Sequence, residues 1–244
     1  PILSAMGVQC CPLPTAFLST HTGGFEGFTF LDMTDEMSKV ADHWASLGLT
    51  FQAVYSGFLG SERQIGVVED FICRFRGPDT VVVVDPVMGD YGRVYQTYTA
   101  AMCSGMTEAA LLLGQPYEML PAGEAGLREI TERLSLGGRR SVVLTGASLA
   151  PGRTGAVCFD ARTGKTEAVQ TAYVAHEFHG TGDVFSSVLT GALVRGESLS
   201  SAAGEAAAFV RACAERTAAE DLPMREGVDF EPLLGLLIPG KETV

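Results

Sequence analysis

No run of apolar residues approaches the ~18 that a membrane-spanning helix requires, and no basic segment leads into an apolar one as a secretory leader would. Basic residues are scarce, 17 Lys and Arg against 29 Asp and Glu, for a formal charge of -12. A nucleic acid or an anionic membrane wants a basic face, so neither is an expected partner. A nucleotide stays possible, because a small phosphate site needs only local N–H donors and at most one cation. The six cysteines (Cys10, Cys11, Cys73, Cys103, Cys158, Cys213) contain no C-x-x-C pair and no histidine at zinc-site spacing. They read as buried thiols of a reducing cytoplasm rather than disulfides or metal ligands. The G-x-x-x-x-G-K-[ST] pattern is missing, which excludes a Walker P-loop, and no G-x-G-x-x-G follows the first strand, which argues against a dinucleotide. No internal repeat is visible.

What is present is an ordinary globular balance, 46% hydrophobic and 19% charged over 244 residues, enough for one large α/β domain with a sizeable core. The chain begins with Pro1 rather than Met, so its true start is expected upstream. Its organising stretch is HGTGDVFSSVLTGAL, residues 179–193, where a Gly-Thr-Gly-Asp turn runs into a helix. Gly180 and Gly182 permit positive φ and close ligand approach, Thr181 offers a hydroxyl and a cap, and a helix N-terminus gathers unpaired N–H groups. Val184, Phe185, Val188, Leu189, Ala192 and Leu193 recur at helical spacing and fix the turn against a core. Asp183 falls in the first helical turn, favoured there by the helix dipole. Two readings follow: an ordinary capped helix, or a carboxylate beside a phosphate site that takes a proton from an attacking hydroxyl.

Elsewhere, helices and strands alternate. The pattern predicts a helix tail ending at Gly7, a short strand over 8–13, a polar loop STHTGGF over 19–25, and a helix over 33–47 with Met37, Val40, Trp44 and Leu47 on one stripe. A strand over 51–58 follows, then a helix to Phe75 capped by Ser61. The four valines of TVVVVDPVMGD, residues 80–90, predict a strand buried on both faces of a parallel sheet. Asp85 then stands at its carboxyl end, where open α/β sheets bind ligands, and Pro86 forces an exit. Its charge calls for a hydrated Mg²⁺, a neighbouring cation, or backbone N–H groups that it caps. Residues 90–95 read as a lid or a plain surface hairpin. TEAALLLG from Thr107 predicts a helix stopped by Gly114, with Glu108 in its first turn. A helix over 122–136, a strand over 141–146, a hairpin of 155–160 with 167–173, an alanine-rich helix over 200–219 and a final short helix over 230–238 complete the chain. Several strands end in polar residues, including Gly57, Asp85 and Thr145, the signature of a parallel sheet with helices on both faces.

Taken together, DPVMGDYGRVY at 85–95 and GTGDVF at 180–185, with STHTGGF before them and TEAALLLG between, resemble the pyridoxal kinases of the ribokinase superfamily. GTGD alone is shared by sugar, pyrimidine and pyridoxal kinases, whereas the DPVMGD turn followed by Gly and Tyr points to the vitamin B6 branch. The resemblance implies a ribokinase-like three-layer α/β sandwich with a mostly parallel central sheet. It also implies ATP-dependent phosphorylation of the 5′-hydroxymethyl group of pyridoxal, pyridoxine or pyridoxamine.

By the same resemblance Asp183 is the base, and Gly180, Thr181 and Gly182 form the anion hole. Asp85 and Glu108 are the acids of the ATP and Mg²⁺ region. Asp90 and Tyr95 belong to the lid, Thr145 and Gly146 lie near the ATP phosphates, and His21, Thr22 and Phe58 line the pyridine pocket. The family often has Tyr at Phe58, so stacking is retained while a hydrogen bond is lost. A homodimer is implied, and a monovalent cation such as K⁺ is left open. Hydroxymethylpyrimidine kinase activity on the same fold, or a non-catalytic B6-binding role, are the rival readings. Two departures stand out. Family members carry a strand ahead of Pro1, with a Ser-Gly turn, and another strand ending in Asn shortly before Thr107. Both are lacking here, which predicts a break in the chain between Ser104 and Thr107, wider than the ~3.8 Å of a peptide link; normal spacing throughout would point to a degenerate enzyme.

Overall fold

The computed structural model describes residues 1–21, 25–87, 89–90, 93–94, 105–175, 178–220 and 224–240. The first half opens with a short helix, α1 (Ile2–Ala5), and then a hairpin-like pair, β1 (Ala16–Leu18) antiparallel to β2 (Phe30–Asp32). Residues 8–13 form no strand, because Pro12 and Pro14 remove ladder donors. Helix α2 (Thr34–Ser46), strand β3 (Ala53–Ser56), helix α3 (Arg63–Phe75) and strand β4 (Val81–Val84) follow, and β3 and β4 pair in parallel with Tyr55 opposite Val83. Trp44, Phe51, Phe71 and Phe75 pack α2 and α3 together, the last two with ring centroids 4.4 Å apart. Such a cluster contributes beyond its buried area.

Several expectations need correction here. Leu47 leaves the α2 stripe and is exposed, since the helix ends at Ser46 and turns at Gly48 with φ 68°. Ser61 does not cap α3; Glu62 holds that position, and the Ser61 hydroxyl instead lies 3.1 Å from that of Thr34, beside the fully buried Gln64. The four valines are not sealed on both faces. Val82 and Val84 are 36% and 50% exposed, as β4 pairs only with β3 among the described residues.

Strands β5 (Gly89–Asp90) and β6 (Arg93–Val94) form a two-residue antiparallel ladder. Helix α4 (Gly105–Leu112) runs without interruption through Thr107, so no break lies within 105–107; Ser104 is outside the described residues. Helix α5 (Gly123–Leu134) leads to β7 (Val142–Thr145), β8 (Arg153–Asp160) and β9 (Lys165–Ala172), an antiparallel sheet in the order β7-β8-β9. The mostly parallel sheet expected from strand-helix alternation thus appears, among the described residues, only as the β3–β4 pair. The reason is connectivity, because the tight turn after Asp160 can join only antiparallel neighbours.

Helix α7 (Leu199–Ala219) covers one face of that sheet, and α6 (Thr181–Val194) packs against α7 and against β3 and β4. Val188, Ala192, Ala202, Ala203 and Ala206 are fully buried between the two helices, the small side chains allowing close approach. Gly191 is fixed by packing, since a Cβ there would lie 2.4 Å from the Met6 sulfur. A second core joins Ile130 of α5 to Leu144 and Val157 on the opposite side of β7 and β8. Helical layers therefore flank the β7-β8-β9 sheet, an α/β arrangement. Among the described residues no helix is long and apolar enough to cross a membrane.

Candidate active site

The carboxyl ends of β3, β4 and β7 and the start of α6 open into one cleft of about 1460 Å³. That exceeds the ~300–1,000 Å³ typical of a single small-molecule pocket, so there is room for two ligands side by side.

The α6 end of the cleft is built by local geometry. Gly180 takes φ 83°, ψ -2°, a left-handed conformation that costs an L-residue about 1–2 kcal/mol. It delivers the chain into α6 with its carbonyl accepting from Val184 N–H at 3.0 Å. The N–H groups of the first turn are left facing the cleft. Gly180, and not Thr181, is the N-cap; Thr181 is already the first helical residue. Gly182 differs from Gly180, because its φ is not positive and a Cβ there would meet nothing within 4 Å. Nothing in the fold demands glycine at 182. Buried Val184, Phe185, Val188 and Leu189 clamp the helix, and Asp183 projects from the opposite, exposed side into the cleft.

At the sheet end, the parallel ladder extends one residue past β4, with Asp85 N–H donating to the Ser56 carbonyl at 2.8 Å. That bond presents the Asp85 side chain, only 6% exposed, at the cleft floor. Glu108, in the first turn of α4, is equally buried and lines the same cleft. Thr145 and Gly146 reach it from the end of β7, and His21 and Phe58 from the loops after β1 and β3. Asp183, Asp85, Glu108, Thr145, Gly146, His21, Phe58 and the 180–182 turn therefore line one cleft. Thr22 and Tyr95 lie outside the described residues, as does the side chain of Asp90.

Two contributors carry no sequence signal. Tyr55 of β3 donates its phenol to Asp85 Oδ2 at 3.4 Å and lies near Ser186 of α6. Burial, and then the charges of Asp85 and Asp183, hold this phenol well above its ordinary pKa, so it remains a neutral donor between two acids. The second contributor is the segment after α7. Its Val228 N–H donates to the His179 carbonyl at 3.1 Å and Glu226 to Phe230 form one wall of the cleft. Arg216 pairs with Asp229 at 2.8 Å and ties that wall back to α7. Irregular backbone of this kind leaves no periodicity to read.

Among the described residues no cluster of three or more His, Cys, Asp and Glu forms a metal cage. Two buried carboxylates in a cleft this wide match the habit of Mg²⁺, which takes one or two carboxylates and keeps waters or phosphate oxygens for the rest.

Residues 98–227 match the sequence profile of the phosphomethylpyrimidine kinase family, a span that includes Glu108, Thr145 and the whole 180–183 turn. The chain belongs to this family. Its relatives include the pyridoxine/pyridoxal/pyridoxamine kinases of Bordetella bronchiseptica, 29% identical over 251 residues (89% of this chain, 82% of that one), and Bordetella avium, 31% identical over 230 residues (82% and 72%). Among solved structures, a Bacteroides thetaiotaomicron protein described as a phosphomethylpyrimidine kinase superposes with TM-score 0.89 at 38% identity in a form crystallised with pyridoxal, covering 97% of this chain and 88% of that one. The pyridoxal kinase of Lactobacillus plantarum superposes with TM-score 0.82 at 27% identity over the same shares. Membership in this kinase family and the α/β fold of these structures agree with the resemblance carried by GTGD and DPVMGD.

Proposed function

We propose that this chain transfers the γ-phosphoryl group of ATP to the 5′-hydroxymethyl oxygen of pyridoxal, pyridoxine and pyridoxamine. The observation that carries the reading is the placement of Asp183, at the N-terminus of α6, in one two-ligand cleft with the buried acids Asp85 and Glu108. Relatives and solved neighbours named as pyridoxal kinases support it.

The reaction asks for positioning, a base, and donors to the phosphoryl oxygens. Asp183 accepts the proton as the hydroxymethyl oxygen attacks the γ-phosphorus; the bond from that phosphorus to the β,γ-bridging oxygen breaks, and ADP leaves. First-turn N–H groups of α6, with Gly182 bare beneath them, receive the transferring group. Asp85 and Glu108 are the residues that would hold Mg²⁺, whose charge offsets that gathering on the phosphate oxygens. Thr145 and Gly146 lie on the nucleotide side, His21 and Phe58 on the pyridine side.

This reading also takes the chain as a single ribokinase-like domain, of which the β3–β4 pair represents a mostly parallel central sheet. It further includes a cytoplasmic homodimer; sedimentation tests the assembly, and omission of K⁺ from the assay tests a monovalent cation. The deciding experiment is ATP-dependent phosphorylation of the three vitamers and of hydroxymethylpyrimidine, measured in parallel. The family match keeps the pyrimidine in the panel. Phosphorylation of the vitamers with hydroxymethylpyrimidine a poor substrate is expected; preference for the pyrimidine, or no turnover of any vitamer, overturns the reading.

A further inference from the structure

Tyr55 occupies a place that the reaction as described does not use. It lies on β3, one residue before the ladder passes to Ser56 and on to Asp85, so its position is set by the same parallel pairing that aims Asp85. The side chain leans toward the carboxyl end of the strand, as strand side chains do. A Cβ at Gly57, two residues on and on the same face, would lie 3.6 Å from the phenol oxygen. The hydroxyl therefore reaches the rim where the strand ends, lines the cleft, and meets Asp85 Oδ2 at 3.4 Å. Ser186, one turn after Asp183 on α6, lies near the same phenol.

The phenol thus stands between the two halves of the site, bonded to Asp85 at the sheet end and close to the helix end that carries Asp183. A carboxylate that holds a metal is oriented by the hydrogen bonds it accepts, and loss of such a partner typically weakens metal binding by ~10–100-fold. The 3.4 Å separation is long for an O–H donor to a carboxylate, as is common before a ligand draws the groups together.

We propose that Tyr55 is the positioning residue for the metal and nucleotide end of the site, fixing the Asp85 carboxylate through its phenol. This rests on the reading of Asp85 as an acid of the Mg²⁺ and ATP region. Tyr55 takes no part in proton transfer. Its removal is felt by the nucleotide and not by the vitamer, a split that a merely structural role would not produce.

The test compares the full chain with Tyr55→Phe, which removes a single oxygen, and with Ser186→Ala, which removes a hydroxyl beside the phenol. Mn²⁺ binding in the presence of ADP, followed by electron paramagnetic resonance, needs no turnover. Tyr55→Phe is expected to weaken it by about tenfold and Ser186→Ala by a smaller factor. In steady-state assays KM for MgATP rises by a similar factor while KM for pyridoxal stays within twofold. In an Asp85→Asn background, Tyr55→Phe adds nothing further. Mn²⁺·ADP affinity within twofold of the unsubstituted chain, a full Tyr55→Phe effect in the Asp85→Asn background, or a rise confined to the pyridoxal KM each overturns the proposal. Should the unsubstituted chain bind Mn²⁺·ADP yet phosphorylate no vitamer, the proposed function falls, while the binding comparison still decides the role of Tyr55.

Discussion

His21 Nε2 lies 2.6 Å from the backbone carbonyl of Arg225, across 204 residues of sequence. A carbonyl only accepts, so the ring carries its proton on Nε2. The His21 ring also stands edge-on to Phe25 with centroids 5.0 Å apart and lies 5.5 Å from that of His179, and the Arg225 guanidinium sits 5.8 Å over Phe25. The loop after β1 and the wall after α7 are thus joined over the mouth of the cleft. His21→Leu removes that donor while leaving the core untouched. Because the bond is exposed, stability should change by less than about 1 kcal/mol. The pyridoxal KM should rise by about five- to tenfold with the MgATP KM unchanged. Steady-state kinetics and a melting curve check both halves; an unchanged pyridoxal KM removes His21 from the substrate wall.

The two glycines of the 180–183 turn make opposite predictions. At Gly180 a side chain has space but not the backbone conformation, since φ is 83°. Gly180→Ala should therefore cost about 1–2 kcal/mol, a drop in Tm of roughly 3–6 °C for a chain of this size. At Gly182 both space and backbone are permissive, and alanine is the better helix former by up to about 1 kcal/mol. Gly182→Ala should then hold or raise Tm, yet lower kcat/KM for ATP at least about tenfold, because its methyl occupies the approach of the phosphoryl group. Full activity in Gly182→Ala would mean that no ligand comes close to that residue.

The α6 turn was legible because its signals are local: glycines, an acid in the first turn and a helical stripe lie within fifteen consecutive residues, and the helix found, Thr181–Val194, matches. The α7 helix and the β8–β9 hairpin were legible for the same reason, one from a long alanine-rich pattern and the other from a tight turn between β-rich runs. What failed depends on partners distant in sequence. Four valines look buried on both faces, but burial is decided by which strands flank them, and Val82 and Val84 are exposed. Strand β2, three residues long, is too short for a pattern to emerge. Tyr55 was readable as a strand residue, yet its role comes from a carboxylate thirty positions later, which no spacing rule connects.

The described thiols divide by burial, and pH should reveal it. Cys158 and Cys213 are nearly inaccessible, and each is pushed up from 9.0 to about 12, first by burial and then by a neighbouring acid, Glu167 for the former and Asp229 for the latter. In the unfolded chain these groups lose their protons near pH 9, while in the folded protein they keep them to about 12. Folding thus retains protons that unfolding releases, and the associated stability is complete below pH 9 and lost as pH rises toward 12. Tm should fall across that window, and a Cys158→Ala/Cys213→Ala variant should show a shallower decline. Iodoacetamide at pH 8 should label the exposed Cys10, Cys11 and Cys73 in the native protein, reaching Cys158 and Cys213 only on unfolding. Labelling of Cys213 in the native protein would contradict its burial between α7 and the closing segment.

Asp183→Asn isolates the proton acceptor from everything else in the cleft. Asparagine keeps the shape of the side chain at an exposed position, so the fold persists. The loss of a first-turn charge costs about 0.3–1 kcal/mol, a few degrees in Tm at most. In the proposed reading nucleotide binding depends on Asp85, Glu108 and the turn, none of which changes, so Mn²⁺·ADP affinity should stay within about threefold. Turnover is another matter, since an amide cannot take the proton of the attacking hydroxyl. General-base catalysis is worth about 10²–10⁴-fold, and kcat should fall by that factor with the MgATP KM near its original value. A loss of nucleotide affinity equal to the loss of kcat would instead place Asp183 among the groups that hold the phosphates. A kcat unchanged by the substitution would end its assignment as the base.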